Sequence, residues 1–364
     1  MPPVHFAMRM IVFHRWLALA TSFFILVLAL TGSALVFEGA IDRGLNPALW
    51  RVTPAANPLS LDTLVARVRA VAPESPITAV TPGRVADRAF VAQAGSTQIF
   101  VDPYTGRVLG TRKQQDFNTS LPRRLHVLHV SLLADGIGGE IVGIVTVAAL
   151  LLVITGIIIW WRDKLWRVRW SASWKRIAFD LHHSLGIVAS LVLFVITASG
   201  IVIHYETFGR TIARLDSTPR VPSPKQPAAV SGATPISFDA AARTALAALP
   251  GASLTILSLP PKADQPLVAS MRFPEDRTPG GRSRVYIDRY RGTVLMAEST
   301  REAPVGRAIN NAMRSVHTGD VLGKPTEGVW LLAALVLASQ AISGALMWWN
   351  GRAARAALRR SAVR

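Results

Sequence analysis

Val316-His317-Thr318-Gly319, followed by Ser343-Gly344 and Trp348-Trp349, lies without a gap over Leu128-His129-Val130-Ser131, Thr155-Gly156 and Trp160-Trp161. His129 falls on His317, Gly156 on Gly344, and one Trp pair on the other. A second ungapped overlay places His14, Thr31-Gly32 and Glu38 on His182, Ser199-Gly200 and Glu206. The sequence therefore reads as a duplicated unit. Each copy carries one His before its first apolar run and one before its second.

Those runs, Leu17–Phe37, Ile141–Trp161, Leu185–Tyr205 and Val329–Trp349, carry no charge in their interiors. Each is about 20 residues long, enough to cross a hydrocarbon core at ~1.5 Å per residue. Half of the 364 residues are hydrophobic, and the mean hydropathy is +0.33. A soluble protein of this length is excluded on those grounds, and four transmembrane helices are expected. The first run could be mistaken for a secretory signal cleaved near Gly32-Ser33-Ala34. Its match to Leu181–Glu206, deep inside the chain, predicts that it is retained.

The formal net charge of +18 has a membrane explanation. Arg9 and Arg15 flank the first run. Arg162, Lys164, Arg167, Arg169, Lys175 and Arg176 fill the loop between the second and third, and Arg352, Arg355, Arg359, Arg360 and Arg364 follow the fourth. If the spans alternate, all three clusters share one side, the positive-inside pattern. They would meet anionic lipid headgroups, and no nucleic-acid partner is expected. The chain has no cysteine, which removes disulfides, thiolate metal sites, iron–sulfur clusters and covalently attached haem.

The expected organisation is a transmembrane helix over 1–37 with a cytoplasmic N-terminus, an extramembrane domain over 38–125 and a second transmembrane helix over 126–161. A basic cytoplasmic loop over 162–181, a third helix over 182–205, a second extramembrane domain over 206–313, a fourth helix over 314–349 and a basic tail over 350–364 complete it. In the first extramembrane segment Ser60 reads as an N-cap, with apolar positions 61, 64, 65 and 68 on one helix face. Strands follow over Ile77–Val80, Ala89–Gln93 and Gln98–Val101. Asp102-Pro103-Tyr104-Thr105-Gly106 reads as a turn. The second segment opens on a Pro-rich linker over 219–235 and then repeats the pattern: a helix from Ser237, strands over Leu254–Leu259, Leu267–Phe273 and Arg284–Ile287, and a turn at Asp288-Arg-Tyr-Arg-Gly292. The two Trp pairs are expected as interface anchors. Glu38 and Glu206 read as outer helix caps or contacts to a cationic ligand.

These residues resemble the PepSY-associated transmembrane-helix family, which includes iron-regulated inner-membrane proteins and siderophore reductases. His14-Arg15-Trp16-Leu17 with Leu30-Thr31-Gly32, and Phe179-Asp180-Leu181-His182 with Gly200, carry the resemblance. So do the Leu128-His129 and Val316-His317-Thr-Gly elements with their trailing Trp pairs. The turns at Ile99–Leu109 and Val285–Gly292 resemble the PepSY signature, although Arg289 stands where the first has Pro103. The resemblance covers nearly the whole chain. It implies a membrane α-helical fold of four transmembrane helices in two duplicated halves, with two α+β PepSY-like domains on the periplasmic side of a bacterial inner membrane. It also implies b-haem in the membrane domain and electrons passed outward.

The residues themselves point to the same chemistry. A b-type haem needs axial ligands and apolar walls but no covalent motif, and polar side chains near a bilayer call for a functional reading. His14 with His182 at the inner side, and His129 with His317 at the outer side, are expected as axial ligands of two haem b groups. His204, six turns after His182 with Val36 at the matching place, is a further outer-haem ligand or propionate partner. His183, matching Arg15, and His126, matching Arg314, fit headgroup or propionate contacts. The matching glycines would let a helix or a flat ring approach the backbone closely.

The expected activity is a membrane oxidoreductase that reduces a periplasmic Fe(III) chelate such as an Fe(III)-siderophore and releases Fe(II). No dinucleotide fingerprint occurs, so the electron donor is a cytoplasmic reductase or quinol. The alternative is a non-redox PepSY membrane protein that binds or regulates an envelope peptidase or senses a ligand. A transporter built on the repeated spans is disfavoured by the lack of interior charges and Pro-broken helices.

Overall fold

A computed structural model describes residues 4–83, 85–113, 120–215, 222–228 and 232–361. Parts of the Pro-rich linker, 219–221 and 229–231, lie outside the described residues. In chain order the helices and strands are α1 (Val4–Leu35), α2 (Glu38–Leu45), α3 (Pro47–Trp50), α4 (Leu61–Val71), β1 (Ile77–Thr81), β2 (Phe90–Ala94), β3 (Thr97–Val101), β4 (Val108–Lys113), α5 (Leu121–Ser131) and α6 (Asp135–Asp163). Then follow α7 (Trp174–His204), α8 (Glu206–Ile212), α9 (Phe238–Ala248), β5 (Ser253–Ser258), β6 (Leu267–Arg272), β7 (Ser283–Ile287), β8 (Val294–Glu298), α10 (Val305–Thr318) and α11 (Lys324–Ser361). The chain divides into two units. One is residues 1–38, 122–211 and 313–364; the other is 39–121 and 212–312.

The second unit holds an eight-stranded antiparallel sheet in the order β4-β3-β2-β1-β5-β6-β7-β8. Helix–strand–strand–strand–strand occurs twice, and the two sets meet where β1 pairs with β5 through Ala79↔Ser258 and Val80↔Leu257. Segments 38–125 and 206–313 thus share one sheet. They also share one core, because strand alternation sends Phe90, Ala92 and Ala94 of β2 and Leu267, Ala269 and Met271 of β6 to the face covered by α4 and α9. Each such buried large side chain contributes roughly 1.5–3 kcal/mol.

Both helices start as the sequence predicts. The Ser60 hydroxyl accepts from Thr63 N–H (3.2 Å), and that of Ser237 from Ala240 N–H (3.1 Å). Beyond these local caps, each helix caps the other. The Asp239 carboxylate accepts from the N–H groups of Leu61 (2.9 Å) and Asp62 (3.1 Å), and the Asp62 carboxylate from those of Phe238 (2.8 Å) and Asp239 (3.3 Å). Two helix N-termini, each positive at its end, are held together by each other's acid. At the edge of the sheet, Arg112 of β4 makes a two-point ion pair with Asp42 of α2 (2.7 and 3.2 Å), and Trp50 packs edge-on against Phe100 at 5.0 Å.

The two predicted turns have the same geometry. Asp102 Oδ1 accepts from the N–H groups of Tyr104 and Thr105, and Asp288 Oδ1 from those of Tyr290 and Arg291. Gly106 and Gly292 close them in the left-handed region, φ +71° and +70°. The Arg289-for-Pro103 difference is absorbed because the contact both turns share is made by the carbonyl, which accepts from Leu59 N–H in one turn and Ile236 N–H in the other, both at 2.7 Å. Arg289 adds bonds that proline cannot make, from its N–H to Gln226 Oε1 (3.0 Å) and from its guanidinium to the Pro260 carbonyl.

In the other unit, α1 packs against α6 and α11, and α7 packs against the same two. The four helices form a ring, with small cores around Ile25, Val145 and Ala149 and around Ala189, Leu193 and Ala333. All four are long and apolar enough to cross a membrane: Met8–Leu35, Asp135–Arg162, Trp174–His204 and Lys324–Arg352. Most of the side chains in these stretches are not buried against protein, so their apolar surface faces lipid. Segments 126–161 and 314–349 are each two helices. Leu132 and Leu133, both at positive φ, separate α5 from α6, and a turn over Gly319–Gly323 separates α10 from α11. Glu38 and Glu206 stand in the first turns of α2 and α8, where a negative charge complements the helix dipole.

Asp288 is buried, at 1% exposure. Burial works to raise its pKa, but hydrogen bonds from Tyr290 N–H, the Gln226 amide and Arg291 outweigh it and hold the carboxyl at about 2 against an ordinary 3.8. The contribution of this turn is therefore complete above about pH 4 and fades as pH falls toward 2. Asp288→Asn is expected to destabilise the purified protein by about 1–3 kcal/mol at neutral pH. In thermal unfolding curves its deficit relative to the parent should shrink across that acidic window.

Candidate functional site

Four helix pairs meet through the same contact. His14 of α1 bonds through Nδ1 to Thr155 Oγ1 of α6 at 2.8 Å, and His182 of α7 through Nδ1 to Ser343 Oγ of α11 at 2.8 Å. His129 of α5 bonds through Nδ1 to Thr31 Oγ1 of α1 at 3.0 Å. His317 of α10 places Nδ1 at 3.4 Å from Ser199 Oγ of α7 and 2.9 Å from the Ile196 carbonyl oxygen. In every case a glycine follows the hydroxyl residue and faces the ring, and at Gly32 and Gly200 its missing Cβ is what leaves room for it. A Cβ on Gly156 would stand 3.6 Å from His14 Cε1, and one on Gly344 3.6 Å from His182 Cε1. A Cβ on Gly32 would stand 3.0 Å from His129 Cε1, and one on Gly200 3.1 Å from His317 Cε1.

The hydrogen bonds fix the tautomer. Each hydroxyl has one hydrogen, and each donates it to a carbonyl one turn back on its own helix. Thr155 gives it to Leu151 (2.8 Å), Thr31 to Val27 (2.7 Å), Ser343 to Ser339 (2.7 Å) and Ser199 to Val195 (2.6 Å). The hydroxyl oxygen can then only accept, so Nδ1–H of the imidazole donates. For His317 the Ile196 carbonyl demands the same. The lone pair of all four rings is left on Nε2, the arrangement in which a metal-binding histidine is oriented by its other nitrogen. Desolvation keeps His129 and His317 neutral: His129 is lowered to about 4, with the His317 and His126 rings adding to the effect, and His317 is lowered by burial against the opposing Ile196 hydrogen bond.

The rings come together in two places. His129 and His317 have their centroids 6.4 Å apart, with planes inclined at 49°. His14 and His182 line one cavity of about 470 Å³ within the four-helix ring, inside the ~300–1,000 Å³ range of small-molecule and cofactor sites. Thr31 follows His14 by seventeen residues on α1, so the two places are separated by about 25 Å along that helix.

His183 and Arg15 also line the cavity. His183 donates Nδ1–H to the Phe179 carbonyl (3.1 Å). His204 sits elsewhere than on a hydroxyl–glycine step. Its Nε2 would lie 2.6 Å from a Cβ on Gly143 of α6, and it meets Tyr205 edge-on at 4.7 Å. It is one turn beyond Gly200, on the helix face that receives His317. Asp102, Tyr104, Asp288 and Tyr290 belong to the turns of the other unit. The Trp pairs divide: Trp161 and Trp349 are exposed, whereas Trp160 and Trp348 line the cavity. Their helix positions, about 100° apart, put neighbouring residues on different faces. The basic loop before α7 is fastened by buried Asp180, which pairs with Arg176 at 2.8 Å and accepts from Arg169 N–H at 3.2 Å.

The reciprocal use of Thr31-Gly32, Thr155-Gly156, Ser199-Gly200 and Ser343-Gly344 as seats for histidines of other helices was not read from the sequence. The signal was present as equal spacing: seventeen residues from His14 and His182 to the hydroxyl, and twenty-six from His129 and His317. Among the described residues no group of three or more His, Asp or Glu side chains stands where it could hold a metal ion.

Four apolar helices of membrane-spanning length make this a multi-pass membrane protein in contact with lipid. Its particular kind follows from comparison with known families. The model described as the PepSY-associated TM region matches residues 12–350, and the chain belongs to that family. A search of curated proteins returned no match.

Because the rings lie against bare Cα positions, Gly32→Leu and Gly200→Leu are expected to destabilise the protein by about 1–3 kcal/mol through overpacking. Gly328 of α11 faces open space, so Gly328→Ala should instead stabilise by about 0.5–1 kcal/mol. Thermal unfolding in detergent separates the two outcomes.

Proposed function

We propose that the chain is a duplicated membrane protein that holds two b-type haems, one between His14 and His182 and one between His129 and His317, and passes electrons to an Fe(III) chelate outside the membrane. The single observation that supports this reading most is the shared seat of the four histidines, which fixes Nδ1 as donor and leaves Nε2 as the ligating atom. The donor set fits the group. Neutral imidazoles are its axial ligands, the cradle a Cβ would fill admits the rings, and the inner cavity is walled mainly by aliphatic side chains. His129 and His317, with ring centroids 6.4 Å apart, would hold the second group.

Bound haem supplies reversible one-electron chemistry at iron. The protein does the rest. The hydroxyl–glycine steps orient the ligands, the aliphatic walls exclude water, and Arg15 at the inner cavity offers charge to propionates. His14 and the Thr31-Gly32 seat of His129 stand about 25 Å apart along α1, so the two haems would carry electrons most of the way across a hydrocarbon core of ~30 Å. His204 lies one turn past the outer seat and serves as a propionate partner there.

In this reading the positive-inside pattern of the basic loop and tail supports cytoplasmic termini in a bacterial inner membrane, with two PepSY modules on the periplasmic side. These modules hold the chelate, an Fe(III)-siderophore or similar complex. Reduction releases Fe(II), for which chelators built for Fe(III) have far lower affinity.

Protein purified from haem-replete cells should show a reducible bis-imidazole spectrum and two haems per chain by pyridine haemochrome assay. His14→Ala and His317→Ala should each remove one haem and leave the other. Full retention in both variants, or a colourless parent protein, would falsify the ligand assignment.

A further inference from the structure

The inner cavity extends well past the histidines. Its lining on α1 runs from Ile11 to Ile25, about 20 Å of helix, and His14 stands near one end. The far part is walled by Ile25, Leu152, Leu193 and Leu337, and Gln340 lines the cavity between these side chains and the His182 seat. Gln340 is one turn before Ser343-Gly344 and so shares the face of α11 that seats His182. Its Nε2 is buried and has no hydrogen-bond partner among the described residues. Its Oε1 lies 3.3 Å from where a Cβ on Gly186 would stand, a notch on α7 one turn after His182.

The amide is also where the two halves part. In the ungapped overlays Leu152 matches Gln340 and Ala18 matches Gly186, so the first half has hydrocarbon where the second has an amide and room for it. Along its span Gln340 is about 24 Å from Lys324 and about 18 Å from Arg352, deep in the apolar stretch. A buried amide donor left unpaired is costly, and a polar group at this depth calls for a functional reading.

We propose that this part of the cavity binds the ring of a quinone-type ligand whose carbonyl oxygen accepts a hydrogen bond from Gln340 Nε2. The unpaired donor needs an acceptor, the walls need an apolar ring, and the depth needs a ligand that dissolves in lipid. The ligand's role rests on the haem reading above. A bound quinol becomes the quinone by giving one electron to each of two ferric centres and two protons to water. This selects a quinol as the electron donor, and it places the donor beside the His182 seat.

The test uses the purified full-length chain in detergent, with haem measured on the same sample. Ubiquinone-1 and menadione are titrated, and the unfolding midpoint is followed. At least one quinone should raise the midpoint saturably. Gln340→Leu should weaken the apparent affinity at least tenfold with haem content unchanged, and Gly186→Ala, which presses on the amide oxygen, should weaken it too. Without quinone Gln340→Leu should be at least as stable as the parent, since it removes the unpaired donor. Equal quinone affinity in parent and Gln340→Leu, or no saturable shift in the parent with either quinone, overturns the proposal. Gln340-dependent binding by a haem-free protein would support the site while overturning the haem reading.

Discussion

An imidazole facing a threonine or serine hydroxyl has two ways to bond, as donor or as acceptor. Here the choice is removed, because the hydroxyl hydrogen is already committed to a carbonyl of its own helix. The ring must donate through Nδ1, and Nε2 keeps its lone pair. The neighbouring glycine completes the arrangement. The hydroxyl meets the ring nitrogen, and the bare Cα admits the ring edge at Cε1. One such bond is worth only about 0.5–1.5 kcal/mol, so its importance is orientation more than stability. Repeated four times, it ties α1 to α6, α7 to α11, α5 to α1 and α10 to α7, and it aims every ring from a separate helix.

Two of those histidines ride on helices that are broken from the spans they precede. The breaks at Leu132–Leu133 and Gly319–Gly323 let α5 and α10 carry His129 and His317 on axes of their own. Continuous helices would have held these residues on the spans' own axes. The Trp330 indole, donating to the Val316 carbonyl at 2.8 Å, fastens the start of α11 to the end of α10. In the sheet unit the equivalent fastening is the exchange of carboxylates between Asp62 and Asp239, which holds two helix N-termini over the β1–β5 junction and makes one core of two segments.

The matched positions that differ are as informative as those that agree. Arg15 against His183, Val36 against His204, Leu152 against Gln340 and Arg314 against His126 all lie within a turn or two of a histidine seat. The seats are the same in both halves, while the charge and hydrogen-bonding capacity around them are not. His14 and His182 share a cavity and His129 lies beside His317, so each pair joins a histidine of one half to its match in the other, and the two sides of each pair face unequal surroundings.

The four spans, their bounding histidines, the Ser60 and Ser237 caps, the first three strands of each segment and the Asp-to-Gly turns were legible in the sequence, because each is set by local periodicity, capping or backbone geometry. Four partnerships were not legible. His14 belongs with Thr155-Gly156 more than a hundred residues away, the first Trp of each pair turns inward, Asp239 caps α4, and Gln340 finds itself in an apolar cavity. Hydropathy could show that Gln340 interrupts an apolar run, but not which way it faced. By itself the sequence determined which residues could enter lipid and which imidazoles bound the spans, since those are properties of side chains and short segments. Only the tertiary structure decided which helix each imidazole leans on, because that choice depends on where a hydroxyl and an empty Cα coincide on a neighbour.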